Sequence, residues 1–527
     1  MTGSGRTPDP AVRPPMPTVS FLWHLHQPAY RTADRVAHAP WVLLHAGGAY
    51  LTLARAIADT AGRGQIVSIV PTLLEQLIAY RDGAVVDPVA DALTTAAADL
   101  SGAQRATVVE WATHMTARQA ARFARLQELA GRSSGELSET EVRDVQVLTI
   151  LAHAGDAARH DPELTELAAR GRAFSRTDHE QVASWLRAQP GRLIELWRAI
   201  ATLPGVEIAT SPYAHPILPL LLDTGVVRDS WAPEPPPEVP IFRRPEDASR
   251  QLAEGLLFMR RHGFTIAGCW PPEGAVSADA IAIYAAQGVR WLVTDEGILE
   301  RSLDEPLRDN GVATTALYRP WRTPWPSPTL FFRDRQLSDR IGFVYGSWDD
   351  EGVAALDLVH LLRERAATLP EDAAIVVALD GENPWPHFAR GGGDFLRVLL
   401  EELADSGPEL APATLGSLAD RLAPSLLPRI HPGSWIHALF ATWIGHPEKT
   451  AAWDLLTRVR DAMPGGELPP SLLLAEGSDW FWWLGEDNPT ELAPLYDRIF
   501  RQHLADACAQ VGIVSPVDLS QPLKAGG

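Results

Sequence analysis

The sequence predicts an α/β barrel or doubly wound parallel sheet with helical additions, on three observations. Short apolar segments rich in Val and Ile recur along the 527 residues, helical patterns follow several of them, and two long stretches contain no strand-like segment. Strands covered on both faces have this continuous apolar character because neither side meets water.

The segments are Thr18–Trp23, Ile66–Val70, Val206–Thr210, Ile266–Trp270, Val289–Thr294, Ile341–Tyr345 and Ala374–Leu379. Between the fourth and fifth, SADAIAIYAAQ at Ser277–Gln287 has a helical pattern closed by Gly288, a residue suited to the left-handed position just past a helix end. Strand, helix and strand in that order form a βαβ unit, and its repetition builds a parallel sheet.

Two regions interrupt the repeat. Residues 87–203 are rich in Ala, Leu, Glu and Arg, and Leu193, Leu196, Trp197 and Ile200 carry the i, i+3, i+4, i+7 spacing of one helix face. The same spacing at Leu492, Leu495, Tyr496 and Ile499 predicts helices near the C-terminus. The expected organisation is a disordered lead over 1–17, a catalytic barrel from 18–86 and 204–425, a helical insertion at 87–203, and a helical domain over 426–527 that contributes to the active site. The proline-rich WAPEPPPEVP at Trp231–Pro240 is expected to be a loop over the barrel mouth.

Composition narrows the function classes. With 46% hydrophobic and 21% charged residues the chain is an ordinary folded protein. A net charge of −20 without a basic patch opposes nucleic acid and anionic membranes as partners. Cys269 and Cys508 are the only cysteines, so no disulfide framework is expected, and two buried thiols are the plain reading. No apolar run approaches ~18 residues, and the N-terminal segment lacks the apolar stretch of a secretory signal, which together predict a cytoplasmic enzyme. The 18 Trp against 8 Tyr are unusual; indole rings fill cores and also stack on the C–H faces of sugars.

Several strand ends carry candidate chemistry. In FLWHLHQPAY, His24 and His26 stand two apart and share one face, an arrangement that suits metal ligation or hydroxyl binding; no third ligand with recognisable spacing follows, so no metal is expected. In GVEIATSPYAHPI, Glu207 interrupts an apolar strand and His215 follows in a proline-bounded turn. A carboxylate there faces substrate or pairs with an arginine, because an unpaired buried charge is costly. In IAGCWPPEGAVS, Trp270 ends a strand and Glu273 projects after two prolines; in IVVALDGENPWPHF an apolar strand delivers Asp380, followed by Glu382 and Trp385. Both acids are expected at the C-terminal ends of their strands, where barrel enzymes place catalytic groups. Two carboxylates flanking a glycosidic bond are what glycoside cleavage requires. By this argument alone, Asp334 and Asp339 of FFRDRQLSDR are equally eligible. Late in the chain, Trp435 behind Gly433 and Trp480 behind Asp479 follow loop-like residues and are candidates to reach a sugar.

Taken in order, HQP, GVEIATSPYAHPI, GCWPPEGAVS, LDGEN and the late GSW…WIG resemble the motifs of glycoside hydrolase family 57. The resemblance runs from about Thr18 to the last helices, and FFRDRQLSDRIGFVYG and AEGSDWFWWLGEDNP are similar to the amylopullulanase and α-amylase branch. It implies an incomplete (β/α)7 barrel with helical regions, a retaining mechanism on α-glucans, and no cofactor or required metal. By motif position the family nucleophile falls on Glu273, the acid/base on Asp380, the first-motif histidine on His26, the second-motif glutamate on Glu207 and the helical-domain tryptophan on Trp435. The alternatives are a 4-α-glucanotransferase or branching enzyme on the same scaffold, a metal-dependent α-mannosidase or deacetylase, and a non-catalytic glucan-binding protein.

Overall fold

The computed structural model describes residues 17–231, 236–309, 312–405 and 410–523. The expected disordered lead falls, apart from Pro17, outside those residues, as does the middle of the proline-rich stretch, and neither is described further.

Among the described residues the site is organised by the strands β1 (Thr18–Leu25), β2 (Gln65–Ile69), β3 (Val206–Ala209), β4 (Gly268–Cys269), β5 (Trp291–Asp295), β6 (Thr329–Arg333) and β7 (Ala374–Asp380), with shorter strands added at the margins. One sheet runs β7-β1-β2-β3 and a second contains β6-β5-β4. A parallel bridge between Thr210 and Cys269 joins β3 to β4. On the other side, Asp334 N–H donates to Val376 C=O at 2.8 Å, bringing the end of β6 against β7. Each strand therefore lies beside its successor in sequence, and the last lies beside the first.

Side chains alternate across the strands with the period of two that a pleated backbone imposes. Leu22, Ile66, Ala209, Val293, Phe331, Val376 and Ala378 form one closed apolar cluster on the inner face. Val19, Phe21, Trp23, Val67, Ile375 and Val377 point the other way, into a core shared with the surrounding helices. Leu415 and Leu418 of the helix Leu415–Arg421 join the inner cluster and close its lower end, where the strands begin.

Every regular element between β2 and β3 in the described residues is helical, ending in Arg176–Ile200, which buries Leu193, Trp197 and Ile200 and accommodates Pro190. After residue 446 the described elements are again helical, and Ala493–Gln510 buries Tyr496 and Ile499. The helix Ala278–Ala286 is capped by Ser277 and followed by Gly288 at φ 76°, as its sequence predicts. Cys269 and Cys508 are free, buried thiols. No helix among the described residues is long and apolar enough to cross a membrane.

One predicted strand is wrong. Residues Arg340–Val344 form a π-helical turn that runs into a 3-10 turn at Tyr345–Ser347, and the strand of this region is β6, upstream. Ile341 and Tyr345 are buried whereas Phe343 is exposed. In a strand all three would share a face; burial of i and i+4 is a helical pattern. Asp334 starts these turns by accepting from Leu337 N–H. The TLFFR of β6 is short and ends in charge, which hid it.

Candidate active site

The C-terminal ends of the inner-facing positions carry polar groups where the apolar cluster stops. On β1, His24 continues the inward alternation of Leu22, in register beside Asp380 of β7 and Ser68 of β2. A chain of contacts fixes its ring: Nδ1 lies 3.4 Å from Ser68 Oγ and Nε2 lies 2.9 Å from His215 Nε2, while His215 Nδ1 lies 2.9 Å from Ser478 Oγ. Two facing Nε2 atoms share one proton, so one donates and the other accepts. Burial and the neighbouring histidines hold the pKa of both His24 and His215 well below the ordinary imidazole value. Both rings are therefore neutral at pH 7. His26 stacks on His215 with ring centres 3.9 Å apart, and its Nε2 lies 2.8 Å from Asp479 Oδ1.

Glu273 reaches the same space by a different route. Pro271 and Pro272 carry the chain out of β4, and Glu273 takes a left-handed backbone, φ 58° and ψ 25°. For a residue other than glycine this conformation costs about 1–3 kcal/mol and persists only where surrounding contacts enforce it. Here Trp435 N–H donates to Glu273 C=O at 2.9 Å, Val276 pairs with Gly433, and Trp435 Nε1–H donates to Glu273 Oε2 at 2.9 Å. Burial pushes the Glu273 carboxyl well above the usual carboxylate range, with repulsion from Asp380 and Asp479 adding to the rise; the donors Trp435 and Ser478 oppose it.

Asp380 ends β7, and its Oδ2 accepts from Asn383 Nδ2 at 2.8 Å. Burial pushes its pKa up to about 6, against the lowering effects of Asn383, His26 and Arg333. Arg333 is itself pinned by Asp295, 2.8 Å from Nε, and by Ala378 C=O, 3.1 Å from Nη1, and its guanidinium lies 5.0 Å from the Trp435 ring centre.

A cavity of about 530 Å³ brings together His24, His26, His215, Glu273, Asp380, Glu382, Trp435 and Asp479. Four other residues singled out from the sequence do not line it. Trp270 is buried behind Trp435, edge-on at 5.6 Å. Trp385 donates to Gly381 C=O and packs on Trp23, and Trp480 donates to Leu474 C=O beside His503. Glu207 sits at the lower end, one pleat below Ala209, where it accepts from Trp291 Nε1 at 2.8 Å and from Gly416 N–H at 2.8 Å. That amide opens the helix Leu415–Arg421, so the carboxylate anchors the plug at the base of the strands. These four stand outside the lining of this cavity and back its walls or base.

The two rival acids have other partners. Asp334 is buried, ion-paired to Arg308 and Arg365 and hydrogen-bonded by Tyr318; Asp339 pairs with Arg333 at 3.2 Å. The cavity also has lining that the sequence reading missed, including Trp41, His45, His153, Tyr30, Trp483 and Tyr496. His45 and His153 stand in apolar helical runs, WVLLHAG and LTILAHA, and burial brings their pKa down to about 4 and about 3. A histidine inside such a run was the available signal, and nothing in the sequence told it apart from a core residue.

His26, His215 and Asp479 each offer one ligand atom, all within 4.8 Å of one another, so folding supplies the third group that the H-x-H spacing lacked. Both nitrogens of His215, and the Asp479 carboxylate, are already in hydrogen-bond contact with protein groups.

The model of glycosyl hydrolase family 57 matches residues 20–425. The chain belongs to this family. Among solved structures, this family 57 chain resembles a branching enzyme of the same family from Thermococcus kodakaraensis, at 17% identity and TM-score 0.60, over 93% of this chain and 88% of the other. The α-amylase AmyC from Thermotoga maritima matches at 15% identity and TM-score 0.57, over 93% and 92%. A 4-α-glucanotransferase from Thermococcus litoralis matches at 13% identity and TM-score 0.54, over 94% and 60%. Identities this low establish a shared fold and leave the reaction to be argued from the site. No curated protein matches the chain.

Proposed function

We propose that this family 57 protein is a retaining α-glucan-active enzyme in which Glu273 is the nucleophile and Asp380 the general acid/base. The observation that carries the proposal is one cavity receiving both carboxyls from different strand ends, coupled closely enough that the charge of Asp380 raises the pKa of Glu273. Two such groups cannot easily both ionise; which is acid and which nucleophile follows their motif positions, Asp380 in LDGEN and Glu273 in GCWPPEGAVS. Asp380 protonates the glycosidic oxygen while Glu273 attacks the anomeric carbon and forms an ester. Asp380 then takes a proton from the water or sugar hydroxyl that resolves it. Neutral His24 and His215, His26 and Asp479 supply donors and acceptors for the hydroxyls of the bound sugar. The scaffold is read as the incomplete (β/α)7 barrel of the family, on the cyclic strand order, with 87–203 as helical insertion and 426–527 as a C-terminal domain that supplies Trp435 and Asp479 to the site.

Within the family we favour the α-amylase and amylopullulanase type, on the FFRDRQLSDRIGFVYG and AEGSDWFWWLGEDNP segments. Incubation with amylose, pullulan and glycogen tests this: shortened α-1,4 chains, with or without pullulan cleavage, are expected. New α-1,6 branches or disproportionated chains would assign a branching enzyme or glucanotransferase, and no change in any glucan would overturn the proposal.

Metal independence is a second expectation, since the groups nearest a metal site are already engaged with one another. Dialysis against a chelator is expected to leave turnover unchanged. Stoichiometric zinc, lost together with activity, would instead favour a metal-dependent mannosidase or deacetylase.

Trp435→Phe retains an aromatic ring and removes the donor to Glu273. A fall in kcat of about 10²–10³ is expected, the scale of losing one charge-stabilising donor. The Glu273 carboxyl should also rise further, moving the acid limb of kcat/KM to higher pH. An unmoved pH profile would reduce Trp435 to packing.

A further inference from the structure

A second cavity of about 260 Å³ adjoins the first. The two share Asp380, Asn383 and Trp435, but Glu273 lines only the larger. We propose that this smaller cavity receives the sugar on the far side of the cleaved bond, both the departing glucan and the incoming acceptor, and that Phe343 is its stacking platform. The proposal rests on the retaining α-glucan reading and adds where the leaving and accepting chains lie.

The argument follows from which carboxylate each cavity contains. The sugar that becomes esterified must touch the nucleophile, so it lies where Glu273 is. The departing sugar takes its proton from the acid and has no bond to make with the nucleophile. It needs Asp380 beside it and has no need of Glu273, and the smaller cavity offers that lining. By microscopic reversibility an acceptor that resolves the ester enters along the same path, with Asp380 taking its hydroxyl proton as the oxygen bonds to the anomeric carbon and Glu273 leaves as carboxylate.

The lining suits that occupant. Phe343 is 83% exposed although Ile341 and Tyr345, on the same turns, are buried. A single exposed Phe is ordinary in itself; this one lines a cavity that also contains a catalytic candidate. It stands on the π-helical turn Arg340–Val344, a conformation found often at functional sites. Another part of the lining is unusual as well. His437 and Ala438 are consecutive non-glycine residues at φ 56° and 57°. Contacts from His431 Nε2 to Ala438 C=O at 3.1 Å and from Ser434 Oγ–H to Leu439 C=O at 2.6 Å hold that segment, which presents the exposed His437 to the cavity. Arg335, fixed by Asp295, adds a hydrogen-bond donor. An apolar ring and polar donors in one cavity are the combination that a sugar, with its C–H faces and hydroxyl rim, can satisfy at once.

The test compares two substrates in parent, Phe343→Ala and Phe343→Trp proteins. α-Maltosyl fluoride releases a fluoride ion that needs no second sugar site, whereas maltoheptaose releases a sugar that does. The ratio of kcat/KM for maltoheptaose to that for the fluoride is expected to fall about tenfold in Phe343→Ala, on the scale of one aromatic contact, and to recover in Phe343→Trp. Transfer to added maltotetraose should fall by a similar factor relative to hydrolysis. A ratio in Phe343→Ala equal to the parent's overturns the assignment, as does a fall confined to the fluoride. A parent protein inactive on both substrates would instead overturn the α-glucan reading, so the two failures are distinguishable.

Discussion

Glu273→Ala is expected to lose turnover on natural glucans and on aryl α-glycosides alike, by a factor on the order of 10⁵–10⁶, because a covalent mechanism has no path without its nucleophile. Leaving-group quality should not rescue it. Added azide should, since the truncated side chain leaves space beside the anomeric carbon for a small anion. Attack from that side, with no intermediate formed, inverts the centre and gives the β-glycosyl azide from an activated substrate. NMR of the product reads the anomer directly. The α-azide from this variant would exchange the roles of Glu273 and Asp380. Retention of substantial glucan activity would remove Glu273 from the mechanism and return attention to Asp339, which lines the adjoining cavity. The left-handed backbone at Glu273 bears on the choice of variant: alanine keeps a Cβ at φ 58°, whereas glycine would relieve that conformation and mix a stability change into the kinetics.

The parts legible in the sequence were those in which one residue carries its own geometry. Continuous apolar runs gave most of the strands, and prolines after β4 marked where Glu273 leaves the sheet. An apolar run delivered Asp380 to a strand end, the two-residue spacing put His24 and His26 on one face, and folding places His24 and Asp380 in register. What the sequence concealed was set by distance along the chain or by partners. Asp479 meets His26 across 453 positions, and Trp41, His45 and His153 reach the cavity from helices that resemble core helices in sequence. Glu207 was noticed for a sound reason, a carboxylate in an apolar strand, yet both groups that satisfy it, an indole on β5 and an amide of Gly416, lie far along the chain. Burial explains why it needs partners and cannot say which they are. Trp270, Trp385 and Trp480 show the same ambiguity from the other side: adjacency in sequence to a catalytic candidate left open whether the ring lines the cavity or backs its wall.

Asp380→Asn separates the second carboxyl's two jobs from each other and from stability. Natural glucans have poor leaving groups, so loss of the acid is expected to slow their cleavage by about 10²–10⁴. Aryl substrates that leave unaided should still form the ester on Glu273, and it should accumulate because no base remains to activate water. Azide needs no base and should release it as the α-glycosyl azide, the opposite anomer from the Glu273 variant. In the parent protein one shared proton gives a bell-shaped kcat/KM whose limbs belong to the pair. In Asp380→Asn the alkaline limb should vanish for aryl substrates, because no acid remains to be deprotonated. The stability effect has a definite sign. Burial raises the Asp380 pKa to about 6, above its value of about 3.9 in an unfolded chain. The folded state therefore binds that proton more tightly, and the parent loses stability as pH rises from about 4 through 6. The asparagine variant lacks this loss. Its thermal midpoint is expected to match or trail the parent's near pH 4 and to exceed it above pH 6. A difference in midpoint that stays constant across this range would mean that Asp380 is not held in the protonated-favouring environment on which its role as acid depends.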